Sequence, residues 1–378
     1  MEKVVVEKVV VEKLAVHKLV GIVFVLAALL LSGCITLLPT SDMPPGDSVK
    51  MERPFLPPDG QTLLIIGQDT ASIDAYVHAL DQTPGGVTGY TSLAQLEGLT
   101  SVAEYGSGPH HLDYLAESYP ASALVVGLYL VDTLPAINNG QADQQITRLL
   151  DILGGYARPV FLRFGYEFDG PWNHYEPEAF KAAWIYFHTK MAEQGIDNVA
   201  MVWQSATACN GTYGDRPIED WYPGDEVVDW VGFSYFAQVA CDFVPLQAMV
   251  DFARLHDKPL MIAEATPQGY ATGNLTYSQD GYTYIDLPAA TIWDQWYAPF
   301  FTFIHENRDV VSAVAYINAH WDAQSMWGPP YGNAYWGDSR VQVNPLLAER
   351  WLAEVTGPAW LHDASQLGLP HSSRQLDR

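Results

Sequence analysis

Eight strand-like runs of apolar residues recur along the chain, with stretches long enough for a helix between them. Most of the runs are continuously apolar rather than alternating, which is typical of parallel strands that are buried on both faces. The predicted strands are Leu63–Asp69, Gly86–Leu93, Ala123–Val131, Pro159–Phe168, Asn198–Ala206, Val227–Phe236, Pro259–Ala265 and Val311–His320. A regular alternation of strands and helices predicts βαβ units and therefore a parallel sheet.

The clearest predicted helix follows the fourth of these strands. A proline occupies its first turn, an apolar stripe with helical spacing runs along it, and a glycine ends it. These residues are Pro177, then Phe180, Trp184, Phe187 and Met191, and finally Gly195. Eight such units favour closure into a barrel, and no Gly-x-Gly-x-x-Gly motif of a dinucleotide-binding fold opens the first helix. We predict an α/β protein with a single (β/α)8 TIM barrel over residues 61–360.

Residues 1–33 have the order of a secretory signal peptide. Lys13 and Lys18 precede an apolar run over residues 19–31, which leads into Leu31-Ser-Gly-Cys34. A cysteine directly after a small residue resembles a bacterial lipobox, which implies cleavage before Cys34 and lipid attachment to its thiol. The alternative is a transmembrane anchor, but the run is shorter than the roughly 20 residues that span a bilayer. We expect an extracytoplasmic protein that is lipid-anchored to the bacterial cell envelope, including the outer membrane, or to the cell surface.

Residues 34–60 and 361–378 flank the predicted barrel. The first segment is rich in Pro, Ser, Asp and Met and lacks periodicity, which predicts a flexible tether that begins at the lipidated cysteine. The second segment is polar and aperiodic, and we expect it to fray. Cys209 and Cys241 form an even pair in an oxidising compartment, and each follows a predicted strand. A disulfide between neighbouring loops is one interpretation, and two buried free thiols are the other.

Composition narrows the range of partners. A formal charge of −25 disfavours nucleic acid and electrostatic docking to membranes, and it disfavours polyanionic glycans. The 12 Trp and 21 Tyr residues supply aromatic faces for sugar rings, although most of them will belong to a core. His110 and His111 lie in a loop without further ligands at metal-site spacing, so we predict that they are solvated and bind no metal.

Two predicted strands end in a single acidic residue. They are Phe161-Leu-Arg-Phe-Gly-Tyr-Glu167 and Pro259-Leu-Met-Ile-Ala-Glu264. A buried strand that carries a carboxylate at its C-terminal end is the usual catalytic arrangement of a (β/α)8 barrel. Two carboxyl groups facing one cleft, one protonated and one ionised, hydrolyse glycosides, and a separation of about 5–5.5 Å gives retention of configuration. The alternative is that both glutamates are partners in structural ion pairs.

Three segments resemble glycoside hydrolase family 26, and the resemblance as a whole covers roughly residues 60–350. They are Arg163-Phe-Gly-Tyr-Glu167-Phe-Asp-Gly-Pro-Trp172, the stretch from Tyr222-Pro-Gly-Asp225 to Asp229-Trp-Val-Gly232, and Lys258-Pro-Leu-Met-Ile-Ala-Glu264. The resemblance implies a retaining enzyme of the clan of (β/α)8 glycosidases. That family contains β-mannanases, some β-1,3-xylanases and mixed-linkage glucanases, and their reaction needs no cofactor.

The resemblance also implies roles for individual residues. Glu167 matches the acid/base of the family and Glu264 matches its nucleophile. Tyr235 matches a tyrosine that hydrogen-bonds the nucleophile. Two positions depart from the family pattern, because Tyr166 stands where His is usual and Asp169 where Asn is more frequent. Both are expected to line the sugar site, so both bear on which substrate fits.

The mechanism adds further candidates. Glu167 needs a raised pKa to hold its proton near neutral pH, and Glu264 needs hydrogen-bond donors, for which Arg163 and Tyr235 are candidates. Other expected substrate-binding residues are Trp172 and Trp321 as sugar platforms and His320 in the cleft, with Asn318, Gln68 and Tyr129 as weaker candidates. The long loop from Pro267 to about Ala290 carries four tyrosines, and we interpret it as a lid or cleft wall, with a plain surface insertion as the alternative.

The predicted function is retaining, endo-acting hydrolysis of a neutral β-linked polysaccharide by two glutamates. β-Mannan is the first expectation, because mannanase is the commonest activity of the family that these segments resemble. A β-1,3-xylanase or a mixed-linkage β-glucanase is the alternative, and a non-catalytic, surface glycan-binding lipoprotein is a hypothesis of another class. We expect a monomer that binds a polysaccharide or oligosaccharide and contacts a membrane through its N-terminal lipid, without nucleic acid.

Overall fold

The computed structural model describes residues 54–207, 216–236 and 244–368. The predicted signal peptide, Cys34, Cys209 and Cys241 lie outside these ranges, so the predicted lipidation and disulfide stay predictions. No helix within the described ranges is both long enough and apolar enough to cross a membrane.

Eight parallel strands close into a barrel, which confirms the predicted (β/α)8 fold. The strands are β1 (Thr62–Gly67), β2 (Gly86–Ser92), β3 (Ala123–Tyr129), β4 (Val160–Phe164), β5 (Val199–Ser205), β6 (Trp230–Tyr235), β7 (Leu260–Ala265) and β8 (Val311–Ile317). Each strand pairs in parallel with the next, and β8 returns to β1 in a register that runs from Leu63↔Ala313 to Gly67↔Ile317. Because the barrel is closed, the C-terminal ends of all eight strands surround one opening.

Helices pack around the outside of the barrel. In the described part of the chain they are α1 (Thr70–Leu80), α2 (Leu112–Ser118), α3 (Leu134–Asn138), α4 (Asp143–Gly154), α5 (Pro177–Glu193), α6 (Val244–Leu255), α7 (Ala289–Ile292), α8 (Ala298–Glu306) and α9 (Pro345–Val355). A π-helical turn over Trp293–Tyr297 joins α7 to α8. Side-chain caps fix two of the starts, since Asp69 accepts a hydrogen bond from the backbone N–H of Ser72 and Asn344 accepts one from that of Leu346.

Helix α5 shows why the sequence pattern predicts this layer. It begins at Pro177, and Gly195 beyond its end adopts a φ of +68°, which a glycine reaches at little cost. The predicted apolar stripe is its buried face, formed by Phe180, Trp184, Phe187 and Met191. The helix prediction is therefore confirmed.

Several short strands lie outside the barrel strands. The long loop after β7 folds into an antiparallel sheet of Tyr270–Ala271, Thr276–Tyr277 and Ile285–Asp286. Ala103–Glu104 pairs with Pro109–His110 after β2, and Trp360–Leu361 pairs with β1. The predicted long loop is thus an insertion with its own hydrogen-bonded structure.

Strand side chains alternate between the barrel interior and the helical layer. Along β4, Phe161 packs inside the barrel, whereas Leu162 and Phe164 join the core shared with the helices. The interior is filled by a layer that includes Leu63, Ile65, Val125, Phe161, Val202, Trp230, Met261 and Ala313. Above this layer the interior turns polar, so the apolar core forms the floor of the opening at the C-terminal ends.

The N-terminal end of the barrel is closed by a segment that the sequence pattern assigns to the tether. Phe55 is fully buried and packs edge-on against Phe161, with ring centroids 5.8 Å apart. The indole N–H of Trp230 donates to the carbonyl of Pro54 at 2.9 Å. The packed domain therefore begins before residue 61, which corrects the predicted limit.

The C-terminal segment completes this closure. Leu361, Ala364 and Leu367 are buried in the same apolar cluster as Phe55, and the backbone N–H of Phe55 donates to the carbonyl of Gly368 at 2.9 Å. Residues 361–368 thus belong to the packed domain and not to a frayed tail. These few apolar side chains are enough to hold the segment against the barrel, because the open end of a barrel exposes a concentrated apolar surface.

Replacement of Phe55 by Ala tests this closure. Loss of a fully buried phenyl group leaves a cavity beneath the barrel interior, so we expect a loss of about 3–5 kcal/mol in the free energy of unfolding. Chemical denaturation followed by tryptophan fluorescence measures it. Leu255→Ala is the matched control, because that side chain is 80% exposed. Equal stability of the two variants would contradict the assignment of Phe55 to the core.

Candidate active site

Glu167 and Glu264 line one cleft at the C-terminal ends of the strands, with a volume of about 570 Å³. Glu264 is part of β7, and Glu167 lies just beyond the end of β4. Each side chain is mostly buried, with 8% of the residue exposed. The structure therefore brings together the two carboxyl groups that the sequence pattern identifies.

A β-bulge directs Glu264 into the cleft. Phe233 pairs with Ile262 and the next residue of β6, Ser234, pairs with Glu264, so β7 carries one extra residue there. The pairing of β7 with β8 shifts at the same point. Ala263 already faces the barrel interior, and the extra residue allows Glu264 to face the cleft as well. Bulges often aim a side chain in this way beside active sites.

Two donors hold one oxygen of Glu264. The Nη1 atom of Arg163 donates to Oε1 at 2.5 Å, and the hydroxyl of Tyr90 donates to the same atom at 3.0 Å. Both of these hydrogen bonds fall on Oε1, which leaves Oε2 oriented for another partner. Arg163 is fully buried, so its charge is compensated inside the protein and the pair is a strong, charge-assisted contact.

Arg163 is held between aromatic rings. Its guanidinium carbon lies 4.9 Å from the ring centroid of Tyr90 and 5.2 Å from that of Tyr166. The two rings meet edge-on, with centroids 5.5 Å apart. Gly127 makes room for this packing, because a Cβ there would lie 2.5 Å from the Tyr90 ring and 2.7 Å from Arg163. Aromatic faces stabilise a desolvated cation, so this enclosure fixes the charge that faces Glu264.

Glu167 lies in a turn and not at the tip of a strand. Strand β4 ends at Phe164, earlier than predicted, and both Gly165 and Glu167 adopt positive φ angles, of 54° and 55°. The side-chain amide of Asn173 donates to the carbonyl of Glu167 at 2.8 Å and to that of Tyr166 at 2.9 Å. A positive φ is unfavourable for a residue with a side chain, so Asn173 stabilises a backbone that presents Glu167 to the cleft.

Glu167 has different electrostatic surroundings from Glu264. Its Oε1 accepts a hydrogen bond from the hydroxyl of Ser234 at 2.7 Å. Burial raises the pKa of Glu167 to about 8, the negative charge of Glu264 adds to the increase, and the Ser234 hydrogen bond partly opposes it. Glu167 therefore keeps its proton at neutral pH, as the sequence-based expectation requires.

A continuous hydrogen-bond network connects the two carboxyl groups. From Glu264 it passes to Arg163, whose Nη1 also donates to Oε1 of Gln204 at 3.2 Å. The amide of Gln204 donates to Oγ of Ser234 at 3.1 Å, and Ser234 donates to Glu167. Gln204 and Ser234 are both buried. We therefore expect the two carboxyl groups to keep fixed positions while their charge states differ.

This arrangement supplies the two groups needed for double displacement. Glu167 is a buried carboxylic acid with a proton to donate, and Glu264 is a carboxylate with one oxygen oriented by a cation and a phenol. Two such carboxyl groups in one cleft can protonate a leaving oxygen and attack the carbon to which it is bound. In the described ranges, no group of three or more His, Cys, Asp or Glu side chains could hold a metal ion.

The cleft walls contain both predicted and unpredicted residues. Tyr166 and Trp172 line the cleft as predicted, and Trp172 is 48% exposed. The weaker candidates Gln68 and Tyr129 line it as well. Residues that the sequence pattern does not identify are Tyr90, Asn173, Met326 and Trp327. They come from loops and from β2, where no motif indicates them.

Asp169 does not line the sugar site as predicted. One of its carboxylate oxygens accepts a hydrogen bond from the hydroxyl of Ser205 at 2.8 Å, and the other accepts one from the backbone N–H of Ala206 at 2.7 Å. The residue is 5% exposed. Its role is to bind the loop after β4 to the end of β5, which corrects the predicted role in substrate binding.

Tyr235 faces the helical layer instead of Glu264. Its ring packs against Trp296 and Phe300, with centroids 5.6 Å and 4.9 Å away. Because strand side chains alternate, the preceding residue, Ser234, faces the barrel interior, where its hydroxyl donates to Glu167. The phenol that donates to Glu264 is that of Tyr90, so the predicted position of this tyrosine is wrong although its chemical type is right.

Trp321 and His320 also lie apart from the cleft wall. The indole N–H of Trp321 donates to the hydroxyls of Thr266 and Ser339, and its ring stacks on Trp336 with centroids 5.0 Å apart. With 2% of the residue exposed, it has no free face for a sugar ring, which corrects its prediction as a platform. His320 is half-buried and does not line the cleft described above.

His110 is buried, contrary to the prediction that it is solvated. Its ring packs edge-on against Tyr90, with centroids 5.5 Å apart, and its Nε2 lies 3.1 Å from the hydroxyl of Ser107. Burial lowers the pKa of His110 to about 4, so the ring is neutral at physiological pH. It therefore supports the tyrosine that donates to Glu264.

The raised pKa of Glu167 predicts a dependence of stability on pH. The folded-state value near 8 lies above the ordinary value of 4.5, so the folded protein binds more protons than the unfolded chain between these pH values. Stability conferred by the protonated group is therefore lost as the pH rises across this window. Glu167→Gln removes the titration, so its stability relative to wild type should increase by up to about 1.4 kcal/mol per pH unit.

Urea denaturation between pH 5 and pH 8 measures this difference. Glu349→Gln is the matched control, because it removes an exposed carboxyl group on α9 and not the buried one. A constant difference between Glu167→Gln and wild type across this range would contradict the raised pKa.

Comparison with known proteins agrees with the geometry. A family model described as glycosyl hydrolase family 26 matches residues 136–304. The β-1,3-xylanase TXYA of a Vibrio species is 40% identical over 316 residues, which cover 82% of this chain and 68% of that protein. A β-1,3-xylanase of an Alcaligenes species is also 40% identical over 316 residues, covering 82% of this chain and 67% of that protein.

Solved structures show the same fold. A GH26 β-mannanase from Bacteroides ovatus superimposes with a TM-score of 0.55 at 16% identity, covering 82% of this chain and 94% of that one. A modular endo-β-1,4-mannanase from Cellulomonas fimi gives a TM-score of 0.54 at 16% identity, covering 82% of this chain and 74% of that one. Identity this low supports the fold alone. The family model and the sequence relatives show that the chain belongs to glycosyl hydrolase family 26 and is a glycoside hydrolase.

Proposed function

We propose that the protein cleaves internal linkages of β-1,3-xylan and retains the anomeric configuration. The observation that carries the proposal is the pair of glutamates in one cleft, one protonated by burial and the other held by a buried guanidinium. A retaining glycosidase needs these two states at the same pH.

In the first step, Glu167 donates its proton to the glycosidic oxygen as the bond from that oxygen to the anomeric carbon breaks. The Oε2 atom of Glu264 forms a bond to the same carbon from the opposite face, which gives a covalent glycosyl-enzyme. Arg163 and Tyr90 hold Oε1 during this attack and therefore orient the free oxygen. The leaving part of the polysaccharide departs with a neutral hydroxyl group.

In the second step, water attacks the anomeric carbon from the face that the leaving group vacated. Glu167, now ionised, accepts a proton from this water, and the bond between the anomeric carbon and Glu264 breaks. Both glutamates return to their starting states, and two inversions give net retention. Ser234 favours the proton donation of the first step, because its hydrogen bond stabilises the ionised Glu167 that exists between the two steps.

The sequence relatives favour β-1,3-xylan over β-mannan, which was the first expectation. Two proteins named β-1,3-xylanase share 40% of their residues with this chain over most of its length, whereas the mannanase structures share 16%. Tyr166, next to the acid/base, supports the same substrate. It is larger than the histidine usual in the family, and a larger ring suits a pentose, which lacks the hydroxymethyl group of mannose.

The cleft walls and the charge suit a neutral polysaccharide. Tyr129 lines the cleft and is 43% exposed, so its ring is accessible to a sugar, and Trp172 lines the same cleft with 48% of the residue exposed. A formal charge of −25 opposes binding of acidic glycans. Neutral xylan carries no charge, so the negative potential of the protein does not repel it.

Product analysis of the full chain on β-1,3-xylan, β-1,4-mannan and mixed-linkage β-glucan tests the proposal. We expect oligosaccharides from β-1,3-xylan, with the β-anomer of the new reducing end appearing first in the proton NMR spectrum. Glu167→Ala should lower kcat on the polysaccharide about 10²–10⁴-fold, because it removes the general acid. Glu349→Ala, an exposed glutamate on α9, is the control and should match wild type.

Azide separates the roles of the two glutamates. In Glu167→Ala, azide should attack the glycosyl-enzyme and give a β-glycosyl azide, whereas in Glu264→Ala it should replace the nucleophile and give an α-glycosyl azide. Hydrolysis of mannan but not of xylan would overturn the proposed substrate and leave the mechanism intact. Hydrolysis of xylan that persists in Glu264→Ala would overturn the nucleophile assignment.

A further inference from the structure

Three tyrosines form an exposed aromatic cluster on two neighbouring loops, apart from the residues that line the cleft. Tyr282 and Tyr284 belong to the long loop after β7, and Tyr331 belongs to the loop after β8. Tyr282 is 67% exposed and Tyr284 is 50% exposed, while Tyr331 is half-buried between the two loops. We refer to Tyr282, Tyr284 and Tyr331 as the tyrosine platform.

The hydroxyl groups of the tyrosine platform are bound within the protein. Tyr282 donates to the carbonyl of Pro330 at 2.8 Å, and Tyr284 donates to the carbonyl of Gly281 at 2.6 Å. The hydroxyls of Tyr284 and Tyr331 lie 3.2 Å apart. Because the polar ends are held, the parts left for a ligand are the ring faces.

Packing fixes the rings in place. Tyr331 meets Tyr282 edge-on with centroids 5.5 Å apart, and Tyr335 supports Tyr331 and Tyr284 from the core side at 5.1 Å and 5.8 Å. Gly281 allows the close approach, because a Cβ there would lie 2.3 Å from the Tyr331 ring. Rigid rings lose little conformational entropy when they bind a ligand, so this arrangement is better suited to binding than mobile surface side chains.

The platform lies near the active-site cleft, because the loop after β8 contributes to both. The same loop supplies Met326 and Trp327 to the cleft wall. Trp327 and Tyr331 are four residues apart, so their Cα atoms are separated by at most about 15 Å. A polysaccharide chain that leaves the cleft can therefore reach the platform within a few sugar residues.

We propose that the tyrosine platform is a secondary binding surface for the neutral polysaccharide, on which sugar rings outside the cleft stack. This inference rests on the proposed function for the identity of the sugar. The C–H faces of pyranose rings are apolar and uncharged, which matches exposed aromatic faces whose hydroxyls are already bound. Packing between the loops explains the positions of Tyr331 and Tyr335, but not the exposure of Tyr282 and Tyr284.

Paired binding and turnover measurements on the full chain test the proposal. Binding to insoluble β-1,3-xylan is measured by depletion, with every variant in a Glu264→Gln background so that the polymer is not consumed. Tyr282→Ala/Tyr284→Ala should weaken binding about tenfold, since each ring contact contributes roughly two- to tenfold. Tyr282→Phe/Tyr284→Phe keeps both rings and should bind like the parent. Tyr114→Ala, which removes a 37% exposed tyrosine on α2, is the matched control.

Turnover separates the platform from the cleft. In the wild-type background, the double alanine variant should lower kcat/KM on the polymer, while its kcat/KM on an aryl β-xylobioside, which is short enough to occupy the cleft alone, stays within about twofold. Unchanged polymer binding, or an equal loss on both substrates, would overturn the inference. If Glu264→Gln does not bind β-1,3-xylan and the wild-type protein does not cleave it, the proposed substrate fails. The same tyrosine variants, measured on the polysaccharide that the wild-type protein does cleave, then decide the role of the platform.

Discussion

The buried guanidinium of Arg163 is the constraint on which the active site depends. A charge without solvent exposure is unfavourable unless it is paired, and breaking such a pair costs about 3–5 kcal/mol. Glu264 supplies the counter-charge at 2.5 Å, and the rings of Tyr90 and Tyr166 cover the cation. Gly127 leaves the space that this packing requires. The position of Glu264 is thus fixed by the same interactions that make burial of the arginine tolerable.

The same network explains how two nearby glutamates differ in charge. Arg163 contacts Glu264 directly but is linked to Glu167 by hydrogen bonds only through Gln204 and Ser234, so its charge lowers the pKa of Glu167 less than burial and Glu264 raise it. Burial and the charge of Glu264 therefore dominate at Glu167 and raise its pKa. The closed barrel makes this possible, because the strands bring distant residues of the chain to one rigid opening above an apolar floor.

The apolar runs predicted the barrel and the two glutamates because both depend on local pattern. The side chains that orient these glutamates depend on register, which the pattern does not reveal. A bulge in β7 directs Glu264 inward, and ordinary alternation in β6 turns Ser234 toward Glu167 inside the barrel and Tyr235 toward the helical layer. A lone polar residue in an apolar strand, such as Gln204, is the kind of signal that would have indicated an inward-facing site residue. The hydrogen bond from Ser205, at the end of β5, to Asp169, in the loop after β4, joins two separate segments and is not visible in any local pattern.

Titration of Glu167 by carbon NMR is the most direct test of this account. In protein labelled with ¹³C at the glutamate carboxyl carbon, the resonance of Glu167 is identified by its absence from Glu167→Gln. Its midpoint should lie near pH 8 in wild type. In Glu264→Gln it should fall, because the neighbouring negative charge is lost and Arg163 loses its counter-ion. A midpoint near the ordinary value of 4.5, or one that does not change in Glu264→Gln, would contradict electrostatic coupling of the two glutamates.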